Sequence, residues 1–248
     1  MKMTLNKLGM IAIATLSILT IGCSKSDNAQ NTADSSAGGL QATMSQQGVN
    51  KVTIAALPQA KADTPLEQYV KLDSGNQVMF AYYAISNLPI DYEKIALSYS
   101  NEYRQTSDEF KKRDILNSLK PRIDAEISKA KEQRYWKVTQ GANLSHFDFD
   151  KKTFAENNPL LQDGGYIYFD DNNAYNLSIT NGESFRTIKV DDENKARQIE
   201  KNVNNAYSAP MNNVFYVFVQ DVDQNKSTVK CQIIKSKLLD KSGNDLVM

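Results

Sequence analysis

The sequence predicts an α+β protein: an N-terminal helical region, then an antiparallel sheet with a helix packed on one face. Three observations predict it. In the stretch Ser107 to Trp136, Leu116, Leu119, Ile123, Ile127 and Ala130 recur at spacings of three and four, the stripe of an amphipathic helix. From Leu144 onward the apolar pattern shifts toward period two, most cleanly where Tyr175, Leu177 and Ile179 alternate with Asn176, Ser178 and Thr180. In that second half the elements run hairpin, helix, hairpin, an order that an antiparallel sheet with one covering helix accommodates economically.

The helical region spans residues 64–138. Thr64, Pro65 and Glu67 read as a helix start: an N-cap, a proline at the first helical position and a reciprocal capping residue. Ser74 and Gln77 offer a second capping box. The interior that follows, Val78 to Ile85, is apolar on all sides, so a buried strand is the alternative there. Asp91 caps a third segment that sets Ile95, Ser98 or Tyr99, and Glu102 along one side. Pro121 lies inside the long stripe. It cannot donate to the Asn117 carbonyl and it restricts Lys120, which predicts a kink or a break near Lys120.

The sheet region spans residues 139–248 and forms one domain with the helical region. Gly165 to Asp171 reads as a strand with apolar residues on both faces. Asn181-Gly182 is a hairpin signal, since both residues tolerate positive φ. The returning segment Ser184–Val190 puts Phe185 and Ile188 at opposite parity, which implies cover on both faces or a bulge. A helix follows, capped by Asp191 or Asp192, with Ala196, Ile199, Val203 and Ala206 as its stripe, ending before Pro210. Asn213–Val222 is apolar on both faces and reads as a central strand. After a turn at Asp223–Lys226, Val229, Cys231 and Ile233 share one face of the last strand, so Cys231 is expected to be a buried, inert thiol.

The chain starts with Lys2, Lys7 and a 14-residue uncharged run, Leu8 to Ile21. A membrane-crossing helix needs about 20 apolar residues, whereas a run of this length suits the core of a secretory signal over residues 1–22. The seam Leu19-Thr20-Ile21-Gly22-Cys23 resembles the lipobox of bacterial lipoproteins, with Thr20 departing from the usual leucine. That resemblance implies cleavage between Gly22 and Cys23, a diacylglyceryl thioether on Cys23 and acylation of its new amino group. Three chains on one residue anchor firmly where one gives only marginal binding. The same resemblance, with Ser24 after the cysteine, implies the outer membrane. Without lipid, Cys23 would be free to pair with Cys231 in an oxidising compartment. Residues 23–63 form the lipidated N-terminus and a tether. Ser24–Lys51 holds few large apolar residues and cannot offset its ordering entropy; about 40 such residues reach roughly 35 Å.

Charge narrows the partners. The 29 basic and 29 acidic residues become 27 against 29 once Lys2 and Lys7 are removed with the signal, a net charge of −2. That is no footprint for nucleic acid, nor a basic patch that would hold anionic lipid, so membrane attachment falls to the acyl chains.

No residue set announces catalysis, and the sequence points away from an enzyme. His146 is the single histidine, which argues against a zinc site or a Ser-His-Asp triad, and no cofactor is implied. Asp221, Asp223 and Asn225 have calcium-loop spacing, but Lys226 stands where glycine is needed and Gln232 where an acid is needed. The acidic candidates are the pairs Asp148/Asp150 and Asp170/Asp171, which could serve acid–base chemistry on a cell-wall glycan if two converged in a cleft.

Two stretches, Ser107–Lys131 and Ser184–Glu200, together resemble a family of bacterial envelope proteins known only as a domain of unknown function. The resemblance covers about residues 64–248, implies α+β organisation and transfers no catalytic residue. The expectation is a membrane-anchored envelope lipoprotein that binds a protein or surface ligand. A glycan hydrolase and a structural component of an outer-membrane assembly are the alternatives.

Overall fold

The computed structural model describes residues 57–61 and 63–247; Gly22, Cys23 and the expected tether up to residue 56 lie outside the described residues. Residues 57–61, expected to belong to the tether, bond to the sheet. The backbone carbonyl of Pro58 accepts a hydrogen bond from Gln220 at 2.9 Å, and the Lys61 N–H reaches the Tyr135 hydroxyl at 3.1 Å, so the segment from Leu57 is already held on the sheet.

Thr64, Pro65 and Glu67 yield only one 3-10 turn, Leu66–Gln68, with no side-chain cap. Tyr69 then packs edge-on against Tyr135 and Tyr216, each at 5.2 Å, and draws the chain into a strand, β1 (Val70–Lys71). Tertiary packing overrides the local helix signal here.

The capping box of Ser74 and Gln77 forms as predicted and starts helix α1 (Gly75–Ser86), so the strand alternative falls. Asp91 caps α2 (Tyr92–Tyr99) by accepting the Lys94 N–H at 3.0 Å. Ser100 restarts the chain as α3 (Asn101–Gln105), which takes Glu102 off the helix that carries Ile95. Helix α4 (Glu109–Glu132) runs unbroken through Pro121, against the expected break. An interior proline costs roughly 3 kcal/mol. Leu119 and Ile123, buried on either side of it, each contribute about 1.5–3 kcal/mol and hold the helix together. Helix α1 lies between α4 and the sheet, which is why it is apolar all round.

The remaining elements are β2 (Tyr135–Gly141), β3 (Thr153–Ala155), β4 (Tyr166–Phe169), β5 (Asn172–Ile179), β6 (Thr187–Lys189), α5 (Glu193–Asn204), β7 (Asn212–Asp223) and β8 (Thr228–Leu239). Six strands form one sheet in the order β1-β2-β7-β8-β5-β4. The α+β class holds, but the sheet is mixed: β1–β2 and β5–β8 pair in parallel, the other three pairs antiparallel. As predicted, β7 is central and buried on both faces, and Tyr175, Leu177, Val229, Cys231 and Ile233 line the core.

The hairpin expected at Asn181-Gly182 does not form. Neither residue takes a positive φ. Asn181 instead extends β5 with its side chain: its Oδ1 accepts the Ile233 N–H at 2.8 Å and its Nδ2 donates to the Ile233 carbonyl at 2.9 Å. At Gly182 a Cβ would sit 2.6 Å from the Leu161 carbonyl oxygen, so glycine is there for close backbone approach. The parity conflict of Phe185 and Ile188 dissolves as well. Phe185 ends a 3-10 turn, Gly182–Phe185, while Ile188 lies in β6, which leaves the main sheet to pair with β3.

The helix covering the main sheet is α1, not the later helix anticipated from the hairpin–helix–hairpin order. That later helix, α5, is capped by Asp192 and ends at Asn204, which leaves Ala206 exposed beyond it. Ala196 and Ile199 of α5 bury in a second core with Phe154, Val190, Met211, Leu238 and Leu246.

Candidate functional site

Beside this second core lies a groove of about 370 Å3, formed by the loop after β2, the start of α5 and the residues just before it. Its loop is shaped by Asp148. The Oδ1 of that residue accepts the N–H groups of Asp150 at 3.1 Å and Lys151 at 2.9 Å, and its Oδ2 pairs with the Lys151 ammonium at 3.0 Å. Those bonds, the Lys151 N–H foremost, hold the carboxyl below the usual aspartate range. Backbone bonds between Asp148 and Thr153 close the turn.

The turn displays two aromatic rings. Phe147 packs inward against Phe154 at 5.0 Å, and Phe149 stands edge-on to Phe147 at 5.2 Å, 81 % exposed. Lys152 follows in the left-handed region at φ 55°, and its carbonyl accepts the Val190 N–H at 3.0 Å.

The opposite wall comes from α5. Glu193, Ala196, Arg197 and Glu200 recur at helical spacing, so the helix presents them in one line to the groove. Arg197 pairs with Glu193 one turn away. Glu200 latches the loop: its Oε1 meets His146 Nδ1 at 2.7 Å and its Oε2 accepts the Phe147 N–H at 3.0 Å, with Asn204 Nδ2 also reaching Oε1 at 3.1 Å. Burial pushes the Glu200 carboxyl up, but the bonds from His146 and the Phe147 N–H outweigh it and leave it below the ordinary value.

The four acidic candidates do not converge. Asp148 and Asp150 belong to the turn described above, and none of the four lines the groove. Asp170 and Asp171 form the two-residue connection between β4 and β5. Asp171 binds the start of α1, accepting the Ser74 hydroxyl at 2.5 Å and the Gly75 N–H at 2.7 Å. Burial raises its affinity for a proton; those bonds outweigh that and hold the carboxyl low. A glycosidase acid needs a raised value, and both Asp148 and Asp171 are shifted the other way. His146 sits beside Ser145, whose hydroxyl is committed to the His146 carbonyl at 3.1 Å and to the Ala155 N–H at 3.0 Å. Cys231 is a free, buried thiol, pushed well above the ordinary value by burial, which Arg134 only partly opposes. Among the described residues no three His, Cys, Asp or Glu side chains cluster as metal ligands.

The residues that sequence reasoning missed are Phe149, Lys152 and Glu200, together with Glu156. The spacing Glu193, Arg197, Glu200 is a legible signal for the α5 wall. Nothing local in the sequence tells that the Phe149 side chain faces solvent while Phe147 packs inward. Glu156 is 1 % exposed and fully engaged by the N–H groups of Asn143 and Asn158 and by Asn213 Nδ2, at 3.0, 2.9 and 2.6 Å. It is a structural clasp between β3 and β7.

A second, more polar groove of about 460 Å3 runs along the edge strand β4, past Tyr166, Ser178 and Lys230. The first is the better candidate, because an apolar floor of Val190 and Ala196 meets a few convergent charged groups there.

No curated protein and no solved structure matches the chain. A domain-family profile matches residues 76–201, just over half of the chain, from the first turn of α1 to most of α5, and so covers the whole groove. The chain belongs to that family, described as a domain of unknown function, DUF4852.

Proposed function

We propose that the chain is a membrane-anchored lipoprotein of the bacterial envelope, attached through Cys23, whose folded part binds a protein or surface ligand without turning it over. The lipobox-like seam at Gly22–Cys23 supports the anchor. The observation that carries the binding reading is Phe149: a large aromatic side chain held out in solvent on a hydrogen-bonded turn, over a groove with an apolar floor. Single exposed apolar side chains are ordinary on protein surfaces; what sets this ring apart from the exposed Phe110 and Tyr207 is its place over a groove, where aromatic side chains dominate binding energies.

A photo-crosslinking phenylalanine analogue in place of Phe149 tests it in cells. The expected result is one light-dependent adduct of discrete mass, formed in the membrane fraction. In the Cys23→Ala background the chain should move to the soluble fraction and the adduct should weaken. If the Cys23→Ala chain stays membrane-bound, lipid is not its tether. If position 149 captures nothing while the purified chain degrades peptidoglycan, the hydrolase reading takes over.

A further inference from the structure

One open edge of the main sheet is β4. Among the described residues it is hydrogen-bonded to β5 alone. Tyr166 and Tyr168 are exposed on one of its faces, while Ile167 and Phe169 on the other are only half-buried against the core. Such an edge offers unpaired N–H and carbonyl groups to any extended chain, and proteins ordinarily cover it. The chain itself arrives there. Traced backward from Lys61, it crosses the sheet on three side chains. The Tyr135 hydroxyl accepts the Lys61 N–H at 3.1 Å, Gln232 Nε2 donates to Gln59 Oε1 at 2.9 Å, and Gln220 Nε2 donates to the Pro58 carbonyl at 2.9 Å. Leu57 then lines the groove of about 460 Å3 together with Gly165 and Tyr166, at the start of β4.

The residues that lead into Leu57 differ in composition from the rest of the expected tether. Val52-Thr53-Ile54 is an unbroken β-branched run, and Val52 to Ala56 carries no charge, glycine or proline. Residues of this kind favour extended backbone in a sheet. The charges lining the groove balance, Asp163 and Asp223 against Lys226 and Lys230, which suits an uncharged occupant.

We infer that the chain's own residues 50–56 pair with the free edge of β4 as a further strand of the main sheet. Because they lead to Leu57 at the start of β4, they run antiparallel to it. Leu57 shares the groove with Tyr166, so strand alternation sets Thr53 and Ala55 on the tyrosine face and turns Val52 and Ile54 toward Ile167 and Phe169. Apolar side chains thereby meet the half-covered apolar edge. Direct attachment gives this segment an effective concentration in the millimolar range, an advantage that a separate chain lacks. The pairing closes the edge to other chains and leaves residues 23–49 as the tether. It stands apart from the Phe149 reading.

Two measurements on the purified full chain test it. A photo-crosslinking phenylalanine analogue in place of Tyr168 should give a product of monomer mass, with the link mapped to residues 50–56 by tandem mass spectrometry. In hydrogen exchange, residues 50–56 should exchange about tenfold or more slowly than residues 30–45. Adjacent N–H groups point to opposite edges of a strand, so either Thr53→Pro or Ile54→Pro must remove a bond to β4. At least one of the two should abolish the link, bring residues 50–56 to the exchange rate of 30–45 and speed exchange at 166–169. Continued protection of β7 will show that the variants fold. Exchange at 50–56 as fast as at 30–45, a link that is missing or maps elsewhere, or no effect of either proline overturns the inference. So does a crosslink of dimer mass, which would assign the edge to a second copy, or in cells an adduct with another protein, which would assign it to a partner's strand.

Discussion

Glu156 shows how much one buried carboxylate can hold. It accepts three hydrogen bonds from β7, from the loop before β3 and from the segment after it, in a place that water does not reach. Removing the acceptor leaves the N–H groups of Asn143 and Asn158 and the amide of Asn213 without their partner. Each orphaned buried donor costs about 1–3 kcal/mol, with partial relief by relaxation or an entering water. Glu156→Ala should therefore lower stability by about 2–4 kcal/mol in urea denaturation. Glu156→Gln should cost less, because only the oxygen facing the Asn213 amide is exchanged for a donor. A Glu156→Ala variant as stable as the parent would mean that the clasp adds nothing to folding. Phe149 is the opposite case at the same scale: its exposure makes it nearly free to replace for folding, which is why it can be used as a probe of binding.

The start of α1 and the turn between β4 and β5 are coupled through Asp171, which sets negative charge against the unpaired N–H groups of a helix N-terminus. Because the folded state holds this carboxyl below its ordinary value, the contribution is present above about pH 4, the unfolded aspartate range, and is lost as pH falls through the folded value. Asp171→Asn should cost about 1 kcal/mol at pH 7, as lost caps do, and should flatten the fall in urea midpoint between pH 5 and the acid limit. An unchanged acid limb would remove Asp171 from this role. Elements of this kind also mark where sequence reading works. The α1 box, the Asp91 cap and the alternation in β5 and β8 are set by near neighbours and were legible, and the α5 cap was narrowed to Asp191 or Asp192. The Asn181-Gly182 turn and the Thr64 helix start were local signals too, but distant partners outweighed them: the Ile233 backbone and Leu161 in one case, Tyr135 and Tyr216 in the other. The groove failed to show for the same reason. Lys152 and Glu200 are 48 positions apart and line one groove only because β6 leaves the main sheet and brings α5 back against the loop after β2.

At the scale of the whole molecule, one core joins the two halves that the sequence separates. Val78 and Met79 of α1 and Leu119 and Ile123 of α4 share a buried cluster with Trp136, Tyr175, Phe215 and Cys231 of the sheet. The boundary between 64–138 and 139–248 runs through β2 itself, whose Tyr135–Gly141 pair continuously with β7. The groove depends on this unity, because β7 and β8, the centre of the main sheet, also send Met211, just before β7, and Leu238 into the second core behind α5. A fragment ending at Gln133 would expose an α1 that is apolar on every side, and a fragment starting at Arg134 would expose the sheet face that α1 covers. Each large buried side chain contributes about 1.5–3 kcal/mol, so the loss of even five exceeds much of the 5–15 kcal/mol by which a domain of this size is stable. Expressed separately, residues 57–133 and 134–248 should each give collapsed amide spectra without hydrogen-exchange protection. Mixed, they should recover dispersion at stoichiometric concentration, and the intact chain should unfold in one transition by circular dichroism and by fluorescence of Trp136. A fragment 134–248 with protected β7 and β8 amides on its own would show that the sheet is an independent domain and that the helices are an accessory layer.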